Sequence, residues 1–570
     1  MFLQQVEITN FRGIKNLRIV FDDVTVLIGE NNTGKTTILD ALQLCLSRSL
    51  TRKGGIFTEY DYHLPDKDSQ PSDAEPIEIS FRFAEMKAGE WPDEVVQMLS
   101  EALQVDEEER QSLTLRVTSR FDELLDDFNT VWDFLDSSGH PLPKAKTPRH
   151  VFQLQQLAPV FYLAALRDAV QEFRPRSQFW GPFVRTMKIE SELREELEKD
   201  LSELNKRILD AHRSFDSVKE RLKNTTKLMP LGNEESVIIE ALPGKVFDML
   251  SRTQVMLTSK TGARLPIGRH GEGTQSLAVI CLFDAFLQSR LEEGYDKHTA
   301  PILALEEPES HLHPSAIRSV AGMLQKLKGQ KVIATHSGDL VAGVPLTSLR
   351  RLRRKDGVIT IHQVQAGVLD LNKLDYHLRL TRGNLLFSHC WILVEGEADH
   401  IVFNECSRIN GHDLFSEGVC CVEFSTAGVE QFIKLADQLG IDWLVVADND
   451  HAGQQYLTTA SAQLNGRPQG RHLHKLNHGD METYMCMEGY GAVFEANVSP
   501  QKQKTITKTS GTVEYWKQVI KARQRTFTKP KAMTAICKEI KDRKDKGESD
   551  VPEQITRIVD TALHLAKESK

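Results

Sequence analysis

Two groups of residues in this chain have the types and spacing for phosphate chemistry. The first is Gly29-Glu30-Asn31-Asn32-Thr33-Gly34-Lys35-Thr36, which satisfies the pattern G-x-x-x-x-G-K-[ST]. Glycines there let backbone N–H groups close on phosphates, Lys35 neutralises their charge, and Thr36 can ligate Mg2+. Asn32, Gly34 and Thr37 belong to the same expected nucleotide contact. The second group is acidic: Glu395 and Asp399, followed about 50 residues later by Asp448 and Asp450. Four carboxylates in one crevice would repel one another unless cations bound between them, and hard oxygen ligands favour Mg2+, Mn2+ or Ca2+ over zinc. Two such ions about 3.5 to 4 Å apart could activate water and stabilise a leaving oxygen in phosphodiester cleavage. Glu482, in Gly479-Asp480-Met481-Glu482, could supply a further ligand. The plain alternative for all these acids is helix capping, since carboxylates at strand ends often serve that purpose.

The elements that must hold these residues can be read from periodicity. Residues 2–10 and 17–29 read as strands, and Gly34 to about Ser47 as a helix with Ile38, Leu39, Leu42 and Leu46 at helical spacing. Much later, the apolar run Ile302 to Leu305 leads into Glu306 and Glu307. A carboxylate at a buried strand end can hold the Mg2+ shell and the next can polarise water, so Glu306 is expected in the first role and Glu307 in the second. Strand Lys331 to Thr335 then delivers His336, placed to sense a γ-phosphate. After Leu386 a second α/β series begins, with strands Cys390 to Val394, Trp443 to Ala447 and His472 to Leu476, and a helix near Asp399 to Arg408. In a parallel sheet the C-terminal strand ends converge on one crevice, which would bring the acids together.

Between these series, Ile189, Leu193, Leu197, Leu201, Leu204, Ile208, Phe215, Val218 and Leu222 recur at helical spacing amid dense charge. They predict a long amphipathic helix or helical hairpin over 188–223, of a kind that commonly dimerises. Residues 66–75 and 137–149 read as surface loops. The run Arg350-Arg351-Leu352-Arg353-Arg354-Lys355 ends at Asp356-Gly357, a hairpin signal, and its charges read as an exposed edge guarded against aggregation.

At 570 residues the chain is long enough for roughly three or four domains. A hydrophobic share of 40% and a charged share of 26% are those of a soluble protein rather than a disordered one. Absence of a run of about 18 apolar residues argues against a membrane span. The first eight residues alternate like a strand and lack a signal-peptide pattern, so a cytoplasmic location is expected. None of the eight cysteines forms a C-x-x-C pair, so neither a zinc ribbon nor a redox dithiol is indicated. Net charge is −9, yet residues 501–570 carry 17 Lys and Arg against 9 Asp and Glu. A basic C-terminal region beside an acidic site suits binding of a phosphate backbone.

Three features of the first half resemble the ABC-type ATPases of the SMC and RecF group. Asn10-Phe11-Arg12-Gly13 is similar to their N-terminal segment, whose Arg often touches nucleotide. Gly271-Glu272-Gly273-Thr274-Gln275-Ser276 stands where their signature motif belongs, departing from L-S-G-G-Q, and Glu306 replaces their usual Asp. The strand-end Glu395-Gly396 with Asp448-x-Asp450 resembles a Toprim domain. In that order, with Phe161 to Asp168 near the return into the ATPase core, the chain resembles the OLD (overcoming lysogenization defect) nucleases.

The resemblance implies an α/β protein: an ABC-type ATPase over 1–185 and 230–385, a helical dimerisation insertion over 186–229, and a Toprim nuclease domain over 386–570. It further implies an ATP-binding, metal-dependent DNA endonuclease, a homodimer or higher homo-oligomer, in anti-phage defence, alone or with a partner such as a retron reverse transcriptase and its DNA or a Gabija-type helicase. Asp399 stands where that family usually has Glu. Its late catalytic Lys maps to Thr528-Lys529-Pro530-Lys531, with Lys531 favoured and Lys529 second. A non-cleaving RecF-like repair ATPase, or a Toprim topoisomerase or primase, remain the alternatives.

Overall fold

The computed structural model describes residues 1–570 except 48–55, 65, 67, 123–126, 146–147, 165–188, 212–217, 219, 221–240, 251–255, 259–261, 263, 294–296, 366, 368, 372, 375–382, 426, 549 and 570. Phe215, Leu222 and Ala165 to Asp168, singled out above, lie outside the described residues. The strands in chain order begin with β1 (Leu3–Phe11), β2 (Ile14–Val20), β3 (Val24–Ile28), β4 (Ile77–Ala84), β5 (Gln104–Val105) and β6 (Gln111–Asp122). They continue with β7 (Asp127–Leu135), β8 (Val160–Leu163), β9 (Met256–Thr258), β10 (Arg264–Pro266), β11 (Ile302–Glu306) and β12 (Gln330–Ala334). The last six are β13 (Leu349–Lys355), β14 (Val358–Gln363), β15 (Cys390–Val394), β16 (Val419–Glu423), β17 (Asp442–Ala447) and β18 (Leu473–Lys475).

The chain divides into two compact units, one of residues 1–162, 300–307 and 317–570 and the other of 163–299 and 308–316. Three sheets build the first. An antiparallel sheet runs β2-β1-β4-β6-β5, with β7 also on β6. Its strands alternate: Leu3, Val6, Ile8 and Phe11 of β1 are buried while Glu7 between them is exposed, the pattern of a sheet with one covered face. The second sheet runs β14-β13-β3-β12-β11-β8 and carries β3, β12 and β11 in parallel. The helix Lys35–Leu46 buries Ile38, Leu39, Leu42 and Leu46 in a core shared with Leu3, Val6, Phe81, Val332 and Leu352. The third sheet, β16-β15-β17-β18, is parallel throughout. All five residues of β15 are buried, without alternation, as befits a strand covered on both faces. Helices Glu397–Ile409, Val513–Ala522, Lys529–Asp545 and Glu553–Glu568 contribute to its core.

The second unit contains the helix Ser191–Asp210, the β9–β10 hairpin and the helix Glu272–Glu293, which begins inside Gly271 to Ser276. On Ser191–Asp210, Leu201 is buried while Leu193 and Leu204 are exposed.

Some elements differ from the sequence reading. The stretch 17–29 is two strands in two sheets, because Asp22 N–H donates to Thr25 Oγ1 at 2.9 Å and turns the chain between them. Within 137–149, Pro148 already opens the helix Pro148–Leu157. The basic run is not an exposed edge. β13 lies between β14 and β3, and Arg350 and Arg351 are only 3% and 4% exposed. Arg350 Nη2 pairs with Asp22 at 2.7 Å. Arg351 donates Nη1 to the Leu439 carbonyl at 2.8 Å and the Gly440 carbonyl at 3.0 Å, and Nη2 to the Ser388 carbonyl at 2.8 Å. Asp356 and Gly357 do form the hairpin turn, both with positive φ.

Arg351 therefore satisfies carbonyls at the start of the third sheet that sit away from water. Each buried acceptor left without a donor costs about 1–3 kcal/mol. Arg351→Met, which keeps the aliphatic stem, is expected to lower stability by about 3 kcal/mol or more. An unfolding midpoint in urea unchanged from wild type would contradict this account of β13.

Candidate functional site

At the phosphate loop, β3 ends against β13, and a Cβ at Gly29 would overlap the Leu352 carbonyl oxygen, so only glycine lets the loop leave there. Asn32 adopts positive φ within the loop. Lys35 is buried and donates to the Gly29 carbonyl at 2.8 Å and the Glu30 carbonyl at 2.6 Å. Burial pulls its pKa down to about 8 against the opposing pull of Glu307 and Glu30. Thr36 Oγ1 donates to Glu306 Oε1 at 2.6 Å, and the Tyr162 hydroxyl donates to Glu306 Oε2 at 2.9 Å. The helix-borne hydroxyl and the strand-end carboxylate thus meet at one point, as a shared Mg2+ shell requires.

Glu307 follows with φ 42, a strained conformation for a non-glycine residue, and its N–H donates to the Ala334 carbonyl at 2.8 Å. His336 Nε2 lies 3.9 Å from Glu307 Oε1. Burial, then the Lys35 charge, lowers the His336 pKa and favours the neutral ring. Arg12, also at positive φ, binds Asp61 at 2.8 Å and Asp40 of the loop's helix. Sequence reasoning missed Tyr162 as a partner of Glu306, and Asp40 and Asp61 as partners of Arg12, because all three come from distant strands, helices or turns. Gly271 to Ser276 belongs to the second compact unit, where Ser276 Oγ donates to the Ser310 carbonyl at 3.2 Å.

The acids lie at the C-terminal edge of the parallel sheet. β15 and β17 are neighbours in register Leu393↔Val445, so Glu395 and Asp448 leave adjacent strand ends. Asp448 N–H donates to Glu395 Oε1 at 2.9 Å. Asp399 spans the first turn of its helix and accepts the Gly396 N–H at 3.0 Å. Asp450 caps the helix His451–Ser461, accepting Gly453 N–H at 2.8 Å. Asp480 caps Met481–Met485 and accepts Thr483 N–H at 3.0 Å. Capping and clustering are therefore properties of the same carboxylates.

Crowding shows in their protonation. Burial, with repulsion from Asp399, Glu395, Asp480 and Glu482, holds Asp448 up to about 8. Burial, opposed by the Gly396 N–H and reinforced by Glu482 and Glu395, holds Asp399 up to about 7. Glu395 is raised chiefly by burial, with the Asp448 N–H opposing, and Glu482 chiefly by burial with Asp480 beside it. Among the described residues no three such side chains already converge as a finished metal cage. The chemistry of the set nonetheless fits a hard divalent cation. Every donor is a carboxylate oxygen, and the mutual repulsion is of the kind that a dication relieves.

Lys529, not Lys531, reaches this cluster. Its Nζ lies 2.9 Å from Glu482 and 3.4 Å from Asp480. Lys531 instead turns back to the Thr526 carbonyl at 3.1 Å. The reason is local: Thr528 caps the helix and Pro530 occupies its first turn, so Lys529 and Lys531 leave it in different directions. Asp480 was missed as a member of the cluster, although an Asp directly before a short helix is a capping signal that could have found it.

Comparison with known proteins places these sites in context. A family model described as a protein of unknown function (DUF2813) matches residues 1–384. A model of the overcoming lysogenization defect protein-like TOPRIM domain matches residues 386–450. The uncharacterized protein YbjD of Escherichia coli K12 is 28% identical over 526 residues, covering 89% of this chain and 92% of that protein. The Old nuclease of Escherichia phage P2 is 23% identical over 493 residues, covering 80% of this chain and 78% of that one. Among solved structures, the Smc head domain from Pyrococcus furiosus is similar at TM-score 0.37 and 14% identity, over 67% of this chain and 99% of that one.

Gly453 gives a test of how tightly the Asp448 end is packed. A Cβ there would overlap the Asp448 carbonyl, whereas one at Gly470 would meet nothing. Gly453→Ala should lower stability by about 1–3 kcal/mol, read as a lower thermal midpoint, while Gly470→Ala should leave it nearly unchanged. Equal midpoints for the two variants would show that the helix can retreat without cost.

Proposed function

We propose that this chain, which belongs to the DUF2813 family and carries an OLD-like Toprim domain, is a metal-dependent DNA endonuclease licensed by ATP. The observation that carries this reading is the meeting of Glu395 and Asp448 on adjacent parallel strand ends, with Lys529 held by Glu482 and Asp480 at the same edge. A relative covering most of the chain bears the name nuclease.

In this reading Glu395, Asp399, Asp448, Asp450 and Glu482 hold one or two Mg2+ or Mn2+ ions, and Asp480 orients Lys529. Bound there, such an ion would supply Lewis acidity toward water and positive charge for the leaving oxygen. The chain's own residues divide the remaining work. Asp399, Asp450 and Asp480 each spend one oxygen on a helix N-terminus, which fixes where the other oxygen points. Lys529 is the cation placed to neutralise charge that develops on the scissile phosphate. At the other site Lys35, Thr36, Asn32, Gly34 and Thr37 take the ATP phosphates, Glu306 and Thr36 the Mg2+, and Glu307 the attacking water, with Arg12 and His336 flanking. Basic residues 501–570 guide the DNA backbone.

No helix among the described residues is long and apolar enough to cross a membrane. A cytoplasmic homo-oligomer acting in phage defence, with or without a partner gene product, extends the reading from the family resemblance. Its check is protection of cells from phage by wild type and loss of that protection in Asp448→Ala.

The direct test is nicking or linearisation of supercoiled plasmid with Mg2+ or Mn2+, with and without ATP. Asp448→Ala and Lys529→Ala are each expected to lose about 100-fold or more in rate. Lys531→Ala should stay within about threefold of wild type, since removing an exposed cation weakens backbone contact without touching the chemistry. Lys35→Ala should lose ATP binding. Cleavage by Asp448→Ala at the wild-type rate would sink the assignment.

A further inference from the structure

The start of the third sheet is held by the phosphate loop itself. Glu30, second residue of the loop, accepts a hydrogen bond from His389 Nε2 at 2.7 Å, and the His389 side chain is 5% exposed. His389 immediately precedes β15. Its N–H donates to the Gly418 carbonyl at 2.7 Å, one residue before β16, and its carbonyl accepts the Asp442 N–H at 2.9 Å, the first residue of β17. One residue thus ties the beginnings of three strands to one another and to the loop.

A second grip reinforces it. Arg351 pairs in register with Ile28, the last residue before the loop, and its guanidinium holds the carbonyls of Ser388, Leu439 and Gly440, just ahead of β15 and β17. Arg353 adds a bond to the Gly440 carbonyl at 3.2 Å. The two strands gripped at their starts are the two whose far ends present Glu395 and Asp448. Strands rise about 3.3 Å per residue, and β15 is buried along its whole length, so a shift or tilt imposed at His389 arrives at Glu395 instead of dissipating.

The loop end of this connection is placed to move with nucleotide. The Glu30 carbonyl is one of the two oxygens that hold Lys35 Nζ. A phosphate bound in the loop competes with those carbonyls for the same ammonium, and the Glu30 peptide, with its side chain on His389, is then free to reorient.

We infer that the Glu30–His389 contact is the coupling element between the two sites: ATP in the loop alters the placement of β15 and β17, and His389 is the positioning residue that transmits it. This rests on the reading above of a nucleotide site and a nuclease site. By linkage, whatever factor ATP exerts on metal binding at the acids, metal there exerts on ATP affinity.

The test uses the full chain at fixed Mg2+ and compares wild type, His389→Gln and Glu30→Gln. Hydrogen–deuterium exchange is followed for 388–396 and 442–449 with and without ATP, beside plasmid cleavage under the same conditions. Wild type is expected to change exchange in both segments on ATP addition and to change cleavage about fivefold or more. In His389→Gln the cleavage rate without ATP stays within about threefold of wild type, while the ATP response of exchange and of cleavage falls to within about twofold of none. Glu30→Gln, which still binds ATP because its backbone carbonyl on Lys35 is kept, loses the ATP response of exchange and cleavage, and the double variant does no more than either alone. A wild-type thermal midpoint for His389→Gln separates lost coupling from lost folding; if that variant is unfolded, Glu30→Gln decides. Exchange in wild type that ignores ATP, or a variant that responds like wild type, overturns the inference. Wild type whose strands respond to ATP but which never cuts DNA leaves the coupling standing and refutes the nuclease reading.

Discussion

The hydrogen bond from the Asp448 N–H to Glu395, 2.9 Å across two adjacent strand ends, is the contact on which the acidic site depends. It exists only because β15 and β17 are parallel neighbours in the register Leu393↔Val445; a slip of one residue in either strand would turn that strand's acid to the other face. A buried carboxylate without donors is costly, and here several share one crevice. Four of them are offset by a backbone group, Asp448 N–H for Glu395, Gly396 N–H for Asp399, Gly453 N–H for Asp450 and Thr483 N–H for Asp480, and Glu482 by the Lys529 ammonium. Helix N-termini, whose N–H groups lack partners within the helix, are what make such a crowd tolerable. The capping offered by these acids as a plain alternative is instead the means by which they are gathered.

Much of this was legible because it is local. The phosphate loop, the strand ending at Glu306, the strands ending at Glu395 and Asp448, and the Asp356-Gly357 turn follow from short patterns whose spacing is set by backbone geometry. Buried parallel strands announced themselves as continuous apolar runs, since both faces are covered. Where the reading missed, the deciding contact was remote in sequence. Arg350 and Arg351 look like a guarded edge until β3 and the Ser388 and Leu439 carbonyls are in place around them. Choosing between Lys529 and Lys531 required knowing where Asp480 and Glu482 stand relative to a helix start about 50 residues later. No periodicity carries such information.

The same dependence explains why the link through His389 is silent in the sequence. A histidine before a strand is ordinary, and so is a glutamate in a phosphate loop. Their meeting is fixed by two sheets lying side by side through β13, whose inner residues serve the second sheet while Arg351 and Arg353 reach the third. Arg351, buried and facing carbonyls rather than a carboxylate, suits that task. Burial pulls the Arg351 pKa down only to about 10, so the guanidinium charge and its donors persist at physiological pH.

Both sites finally use one device, a carboxylate leaving the end of a strand that is buried on both faces. Glu306 leaves β11, Glu395 leaves β15 and Asp448 leaves β17, and in each strand the preceding residues are buried without alternation. Such a strand has no solvent face toward which to relax, so packing fixes the position of its terminal acid before any ligand arrives. The departure from Asp to Glu at position 306 fits the same logic. The extra methylene carries the carboxylate further from its fixed strand end, and both oxygens are then secured, one by Thr36 and the other by Tyr162. Two anchors on a longer side chain fix both of its oxygens, so the carboxylate at this strand end has a defined position.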